Sequence, residues 1–193
     1  MKIRNTAILL FKDVEVLDFA GPFEVFNVAN SACGGKFFNV YTVAEHKDML
    51  ETKNGLKVLP DYSIASCPPP DIIIIPGGDG RKVQMNNDII LHWIKDNFNR
   101  VELMISVCTG SFILGNAGLL DGLNATTHHD SYSEFEAAFP NTALIKGDKF
   151  VDSGKIITAA GVSSGINMSL HIVKKLAGEE AARKTAEIIE YNV

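Results

Sequence analysis

The stretch Val101–Leu114 reads VELMISVCTGSFIL, and it indicates the fold of this chain most clearly. Its apolar first half is typical of a central β-strand, and the apolar run after Gly110 is typical of a helix. Cys108 stands at the junction, where the sequence resembles a nucleophile elbow with Ser106 at the usual glycine position. In open α/β folds this edge of the sheet binds ligands. We therefore expect Cys108 to lie in a binding crevice.

The rest of the chain alternates predicted strands with predicted helices. Pro22 is expected in the first turn of a helix that ends at Gly34-Gly35, and Lys53–Leu56 is expected to close a short hairpin. Other strands are predicted over residues 3–11, 37–43, 72–75, 125–127, 142–151 and 155–160, and helices over 87–98, 131–139, 164–176 and 179–191. This alternation predicts an α/β fold with a mostly parallel central sheet sandwiched by helices, in one domain over residues 1–193.

Composition excludes several classes of protein. The 193 residues suit one domain, and 46% hydrophobic with 21% charged residues is typical of a globular chain. The formal charge of −5 gives no basic surface for nucleic acid or acidic membranes. Ala7–Phe11 is too short for a signal peptide, and no run approaches the roughly 20 apolar residues of a membrane span. We therefore expect a cytoplasmic protein without nucleic-acid or membrane partners.

The three cysteines, Cys33, Cys67 and Cys108, are odd in number and widely spaced. This pattern disfavours both a disulfide framework and a zinc knuckle. Cys33 and Cys67 are interpreted as small buried or loop thiols. Cys108 differs because the positive end of the following helix favours a thiolate, which makes it a candidate nucleophile. A buried structural cysteine is the alternative.

Asp18 follows the first predicted strand, so its carboxyl group is expected at the same crevice. Burial and a nearby negative charge raise the pKa of a carboxyl group, which would then hold a proton and deliver it to a substrate. The alternative is a helix N-cap or a solvated loop acid. The helix over 131–139 is expected to begin with a capping box formed by Ser131 and Glu134.

His128 and Gly78 complete the candidate site. A histidine near Cys108 is a known means of activating a thiol, and in extended chain His128 and His129 would point in opposite directions. No further histidine or cysteine stands at ligand spacing, so no metal site is expected. The loop at Gly78 fails the dinucleotide fingerprint, because Val83 occupies the third glycine position. Its amide is predicted to stabilise negative charge beside Cys108, and a plain turn is the alternative.

Together these motifs resemble the ThiJ/PfpI family, whose members have a flavodoxin-like, class I glutamine amidotransferase-like fold. The resemblance rests on Leu17–Pro22, Ile74–Gly78, Ser106–Ser111, Gly118–Gly122 and Ala125–His128. The spacing of Asp18, Gly21 and Pro22, with Cys108-Thr109-Gly110-Ser111, is most similar to isonitrile hydratases and to the amidase-like domain of AraC-type regulators. Those regulators continue into a DNA-binding half, whereas this sequence stops at Val193.

The resemblance implies Cys108 as nucleophile, Asp18 as proton-handling acid, and Thr109 and the Gly78 amide as neighbours. It also implies a small-molecule substrate, a homodimer, and neither an organic cofactor nor a metal. Three functions remain open. The first is hydration of isonitriles to N-substituted formamides, and the second is a protease/amidase-related or glyoxalase/deglycase-like hydrolase that uses His128 as base. The third is a redox or stress sensor in which Cys108 is oxidised to a sulfinate.

Overall fold

The computed structural model describes residues 2–32 and 34–192, and a seven-stranded sheet lies at its centre. In spatial order the strands are β10 (Phe150–Ser153), β11 (Ile156–Ala159), β7 (Leu103–Val107), β6 (Ile72–Ile75), β1 (Arg4–Leu9), β2 (Phe38–Ala44) and β5 (Tyr62–Ser63). Neighbouring strands are parallel, except that β10 and β11 form an antiparallel hairpin at one edge. The predicted mostly parallel sheet is confirmed.

The two central strands bring the candidate site together. Every residue of β6 and β7 is buried, as expected for strands covered on both faces by helices. They run parallel and in register, with Ile75 opposite Ser106. Both strands therefore end at the same edge of the sheet, and this places the loop that begins at Pro76 beside Cys108.

Seven helices are found among the described residues. They are α1 (Val16–Ala32), α2 (Arg81–Gln84), α3 (Asp88–Phe98), α4 (Ser111–Asn116), α5 (Tyr132–Ala138), α6 (Ser164–Ala177) and α7 (Glu179–Ile188). Helices α1, α6 and α7 pack against one another, while α4 contacts α2, α3 and the central strands. The flanking helices agree with the predicted α/β architecture. None of these helices is both long and apolar enough to cross a membrane.

Two small sheets lie outside the central one. The hairpin of β3 (Leu50–Glu51) and β4 (Lys57–Val58) confirms the turn predicted at Lys53–Leu56. Strands β8 (Asn124–Ala125) and β9 (Ala143–Leu144) form a parallel pair. The single strand predicted over 142–151 is therefore wrong, because its first part pairs with β8 and only its last part enters the central sheet. The remaining predicted elements are present, and apart from α1 their ends move by at most three residues.

Helix α1 begins six residues earlier than predicted, at Val16 instead of Pro22. Pro22 lies inside the helix and is buried, where a proline normally disfavours helix. Tertiary packing offsets this cost, since Pro22 approaches Gly165 of α6 closely enough that a Cβ there would lie 3.5 Å from its ring. As a result Asp18 stands in the first turn of α1, where an acidic side chain is favourable. Cys33, predicted near this helix end, lies outside the described residues.

Candidate active site

Cys108 lies at the carboxyl end of β7, where it starts a single 3-10 turn that leads into α4. Its backbone adopts a φ of 55°, a left-handed conformation that is uncommon for a residue with a side chain. The residue is 6% exposed and lines a cleft of about 420 Å³. The sharp turn at this residue holds the thiol at the edge of the sheet, as in a nucleophile elbow.

The cleft around Cys108 is lined mostly by polar and charged groups. Its other lining residues are Glu15, Lys53, Gly78, Asp79, Arg81, Lys82, Thr109, His128, Asp130, Ser131 and Val162. Three larger and more open grooves, of about 500, 780 and 490 Å³, lie beside α6, α3 and α7. Among the described residues, none of these grooves has a cysteine in its lining. Chemistry, rather than volume, therefore identifies the Cys108 cleft as the candidate active site.

Asp18 is fully buried beside this cleft. Its Oδ2 accepts a hydrogen bond of 2.9 Å from the backbone N–H of Gly77, while Oδ1 has no partner of good geometry among the described residues. Burial raises the pKa of this carboxyl group from its ordinary 3.8 to about 7, and the charge of Glu15 adds to the effect. The Gly77 N–H partly opposes the shift. The predicted direction is confirmed, with burial as its main cause.

The Cys108 thiol is held in its neutral form. Burial, followed by the charge of Asp18, raises its pKa to about 12, although the N–H groups of Val162 and Thr109 act in the opposite direction. The expectation that the helix start would favour a thiolate is therefore wrong, because desolvation outweighs the helix dipole. The closeness of the Asp18 carboxyl and the Cys108 thiol thus contributes to both pKa values. In this pair Asp18 loses its proton first.

The loop after β6 depends on glycine at two adjacent positions. A Cβ on Gly77 would lie 2.6 Å from both the amide nitrogen and Oγ1 of Thr109, and Gly78 has a φ of 120°. The amide of Gly78 donates a 3.2 Å hydrogen bond to Thr109 Oγ1. It is therefore committed to Thr109 in this structure, and a substrate would have to share or displace that bond.

His128 lines the same cleft, and its side chain is 23% exposed. Its Nδ1 accepts a 3.2 Å hydrogen bond from the amide of Asp130, which places the proton of the neutral ring on Nε2. Burial and the neighbouring His129 lower the pKa of the ring. Among the described residues His128 makes no hydrogen bond to Cys108. The Nε2–H is therefore the hydrogen-bond donor of the neutral ring.

His128, His129 and Asp130 are the described residues that could hold a metal ion, since their ligand atoms lie within 4.8 Å of one another. The two imidazole rings stack at 4.4 Å between centroids. The prediction that they point in opposite directions is wrong, because the chain leaves the extended conformation and enters a 3-10 turn at His129. His128 and Asp130 line the Cys108 cleft, whereas His129 does not, and the side chains of His129 and Asp130 are exposed.

Arg81 is a residue of the cleft that the sequence did not reveal. It is 5% exposed, its guanidinium lies 3.9 Å from the ring centre of Phe112, and Nη2 donates to Glu134 Oε2 at 2.5 Å. The capping box predicted for Ser131 and Glu134 is therefore wrong: the Ser131 side chain caps nothing, and Glu134 binds Arg81 instead. The one feature of the sequence that pointed to Arg81 was its position directly after the glycine-rich turn.

Comparison with known proteins agrees with this fold. The sequence profile of the DJ-1/PfpI family matches residues 4–175. The isonitrile hydratase of Pseudomonas putida is 31% identical over 95% of this chain and 76% of its own length. The transcriptional regulator GbdR of Pseudomonas aeruginosa is 24% identical over 97% of this chain and 51% of its own length.

A solved structure gives the same result. The ThiJ/PfpI family protein from Pseudomonas syringae superposes with a TM-score of 0.89 at 29% identity, covering 100% of this chain and 77% of that one. The resemblance stated from the sequence motifs is thereby confirmed over nearly the whole chain. The family profile and these similar proteins agree with the observed fold, and the chain belongs to the DJ-1/PfpI family.

Proposed function

We propose that this protein hydrates isonitriles to N-substituted formamides, with Cys108 as nucleophile and Asp18 as the group that moves the proton. The central observation is the buried Asp18 carboxyl, with a pKa of about 7, paired with the Cys108 thiol at one cleft. A carboxyl group that titrates near neutral pH can both accept and donate a proton there. The isonitrile hydratase of Pseudomonas putida, 31% identical, supports this substrate class.

In the first step the carboxylate of Asp18 takes the thiol proton while Cys108 Sγ bonds to the terminal carbon of the isonitrile. Asp18 then delivers that proton to the same carbon. One S–H bond breaks, one C–S and one C–H bond form, and R–N≡C becomes the thioimidate R–N=CH–S–Cys108. The N–H groups of Val162 and Thr109 stabilise the charge on sulfur during the transfer.

In the second step water adds across the C=N bond of the thioimidate: its oxygen bonds to carbon, one proton goes to nitrogen, and R–NH–CH(OH)–S–Cys108 results. The C–S bond then breaks as the hydroxyl oxygen becomes the carbonyl, Asp18 passes the hydroxyl proton to sulfur, and R–NH–CHO leaves. The sum is one isonitrile and one water converted to one formamide, with no net oxidation or reduction. The balance requires neither an organic cofactor nor a metal.

The other functions considered from the sequence have less support. A hydrolase would need His128 as the base, but its Nδ1 is committed to the Asp130 amide and its pKa is lowered. A redox sensor would need a thiol that ionises readily, whereas the pKa of Cys108 is raised to about 12. The homodimer, the cytoplasmic location and the absence of a nucleic-acid partner remain predictions.

The test is direct detection of formamide from the full chain incubated with a panel of isonitriles. We expect product from the wild-type protein and from Cys67→Ser, but not from Cys108→Ser. Cys67 is a suitable control because it is a free, half-buried cysteine that does not line the cleft. Formamide production by the Cys108→Ser variant at the wild-type rate would show that Cys108 is not the nucleophile. If the wild-type protein produces no formamide from any isonitrile of the panel, the proposed reaction is contradicted.

A further inference from the structure

We infer that Arg81 binds a carboxylate of the substrate, so that the preferred substrates are isonitriles that carry an anionic group. The reacting group in this statement rests on the proposed function, whereas the carboxylate contact is argued from the cleft alone. Arg81 lies in α2, directly after the loop of Gly78, and it lines the cleft together with Cys108. A ligand in this cleft of about 420 Å³ can therefore meet both side chains.

The guanidinium of Arg81 has donors to spare. Of its five N–H groups, Nη2 bonds Glu134 and Nη1 makes a 3.9 Å contact with the sulfur of Met85. Within the described part of the chain the Nε–H has no hydrogen-bond acceptor. The Nε atom nevertheless keeps some exposure to solvent. It is thus available to a ligand. A planar guanidinium with free donors suits a carboxylate, which it can bind through two parallel hydrogen bonds.

Burial distinguishes Arg81 from the other charged side chains of the cleft. Only 6% of its side chain is exposed, and the Phe112 ring covers one face of the guanidinium. Its charge therefore acts where water screens it least. Its partner Glu134 is 54% exposed and binds through one oxygen, so this single contact leaves part of the desolvation cost uncompensated.

The remaining charges favour the same ligand. Lys53 lies 3.9 Å from Glu15 and 3.7 Å from Asp79, so these two carboxylates already have a cationic partner. Asp130 is 77% exposed and lies 3.2 Å from His129, which makes it a weak site for a cation. Val162 is the one aliphatic side chain in the lining that the structure describes. A purely hydrocarbon substituent would have little to pack against.

Two thiol reagents of matched size test the carboxylate contact without any turnover. Iodoacetate and iodoacetamide both alkylate cysteine, but only iodoacetate carries a carboxylate. The rate of alkylation at Cys108 is followed by peptide mass. Because both reagents react with the same thiol, the ratio of the iodoacetate rate to the iodoacetamide rate does not depend on the fraction of thiol that is ionised. We expect Arg81→Gln to lower this ratio about tenfold or more, since one hydrogen bond to a charged group changes a rate constant by at least about that factor.

Arg100→Gln is the matched control, because Arg100 is exposed at the opposite, amino-terminal side of β7 and its replacement removes the same charge. An equal ratio in Arg81→Gln and Arg100→Gln would overturn the inference. Glu134→Gln covers the case in which Arg81→Gln fails to fold, since Glu134 is exposed and its replacement frees more of the guanidinium. We expect this variant to raise the ratio about threefold, and no rise would also count against a role for Arg81.

Turnover separates this inference from the proposed function. An isonitrile bearing a carboxylate is compared with its neutral methyl ester, and we expect a kcat/KM at least about tenfold higher for the acid, lost in Arg81→Gln. Hydration of the ester in preference to the acid would overturn the carboxylate contact and leave the reaction intact. If the ratio of alkylation rates depends on Arg81 but neither compound is hydrated, the carboxylate contact is supported and the proposed reaction is contradicted.

Discussion

The backbone amide of Gly77 donates a hydrogen bond to Asp18 Oδ2 at 2.9 Å, and this bond joins the loop after β6 to the first turn of α1. It occupies one carboxyl oxygen and helps to position the group. The other oxygen, Oδ1, remains without a partner of good geometry in the described part of the chain. Proton exchange with Cys108 can therefore use Oδ1 without loss of the contact that positions the carboxyl.

Replacement of Asp18 by asparagine tests its role in proton transfer. The amide keeps the shape of the side chain and can still accept from Gly77, but it cannot take the thiol proton. We expect kcat for isonitrile hydration to fall about 100-fold or more, as is common when a general acid–base is removed. Rates are measured by formamide release, and circular dichroism verifies the fold. Turnover within about threefold of the wild type would contradict the role of Asp18.

The same variant should change how stability depends on pH. In the unfolded chain Asp18 releases its proton near 3.8, whereas in the folded protein it does so near 7, because of burial. The folded state therefore binds the extra proton between these values, and the wild type loses stability as pH rises through this range. The loss is at most about 4 kcal/mol.

An asparagine side chain has no proton to release, so Asp18→Asn should be more stable than the wild type above about pH 7 and nearly equal to it below about pH 4. Urea unfolding at several pH values measures the difference. A gap between the two proteins that stays constant over this range would show that Asp18 titrates normally in the folded state.

Replacement of His128 by alanine distinguishes the hydratase from a hydrolase. Because the ring is neutral and its Nδ1 is committed to the Asp130 amide, we expect only a small loss of kcat, within about tenfold, through the loss of one neutral hydrogen-bond donor. Formamide release is the measurement. A loss comparable with that of Asp18→Asn would instead identify His128 as the base.

Gly77→Ala should disturb both stability and activity. The new Cβ would lie 2.6 Å from Thr109 Oγ1 and 3.0 Å from Asp18 Oδ2, so the loop has to move. We expect a loss of about 2 kcal/mol in the free energy of unfolding, together with reduced turnover. Gly35→Ala is the matched control, since its nearest contact would be at 3.9 Å and its φ is not in the left-handed region. Equal stability of the two variants would contradict the close approach at Gly77.

Patterns that depend on local sequence predicted much of the fold. The isoleucine run of β6 and the apolar stretch of β7 indicated buried strands, because strands covered on both faces show no alternation. The start of α1 was missed, since packing against Gly165 overrides the local effect of Pro22. Element boundaries follow tertiary contacts of this kind, and a single sequence does not contain them.

The candidate site shows the same limit. Cys108 and Asp18 were identified because each follows a predicted strand at one edge of the sheet. The protonation state of the thiol was not predicted correctly, since desolvation depends on how completely neighbouring elements enclose the side chain. Arg81 was missed because nothing in a four-residue helix indicates burial, and its partner Glu134 is 53 residues away in the chain.

The left-handed backbone of Cys108 has a consequence for how this site can change over time. Glycine adopts a φ of 55° without the steric penalty that a Cβ brings, so the sulfur is retained against a local conformational cost of the order of 1–2 kcal/mol. A descendant released from the need for a nucleophile could gain stability at this position by a single substitution. A cysteine at this strained position is therefore what the proposed nucleophilic role predicts.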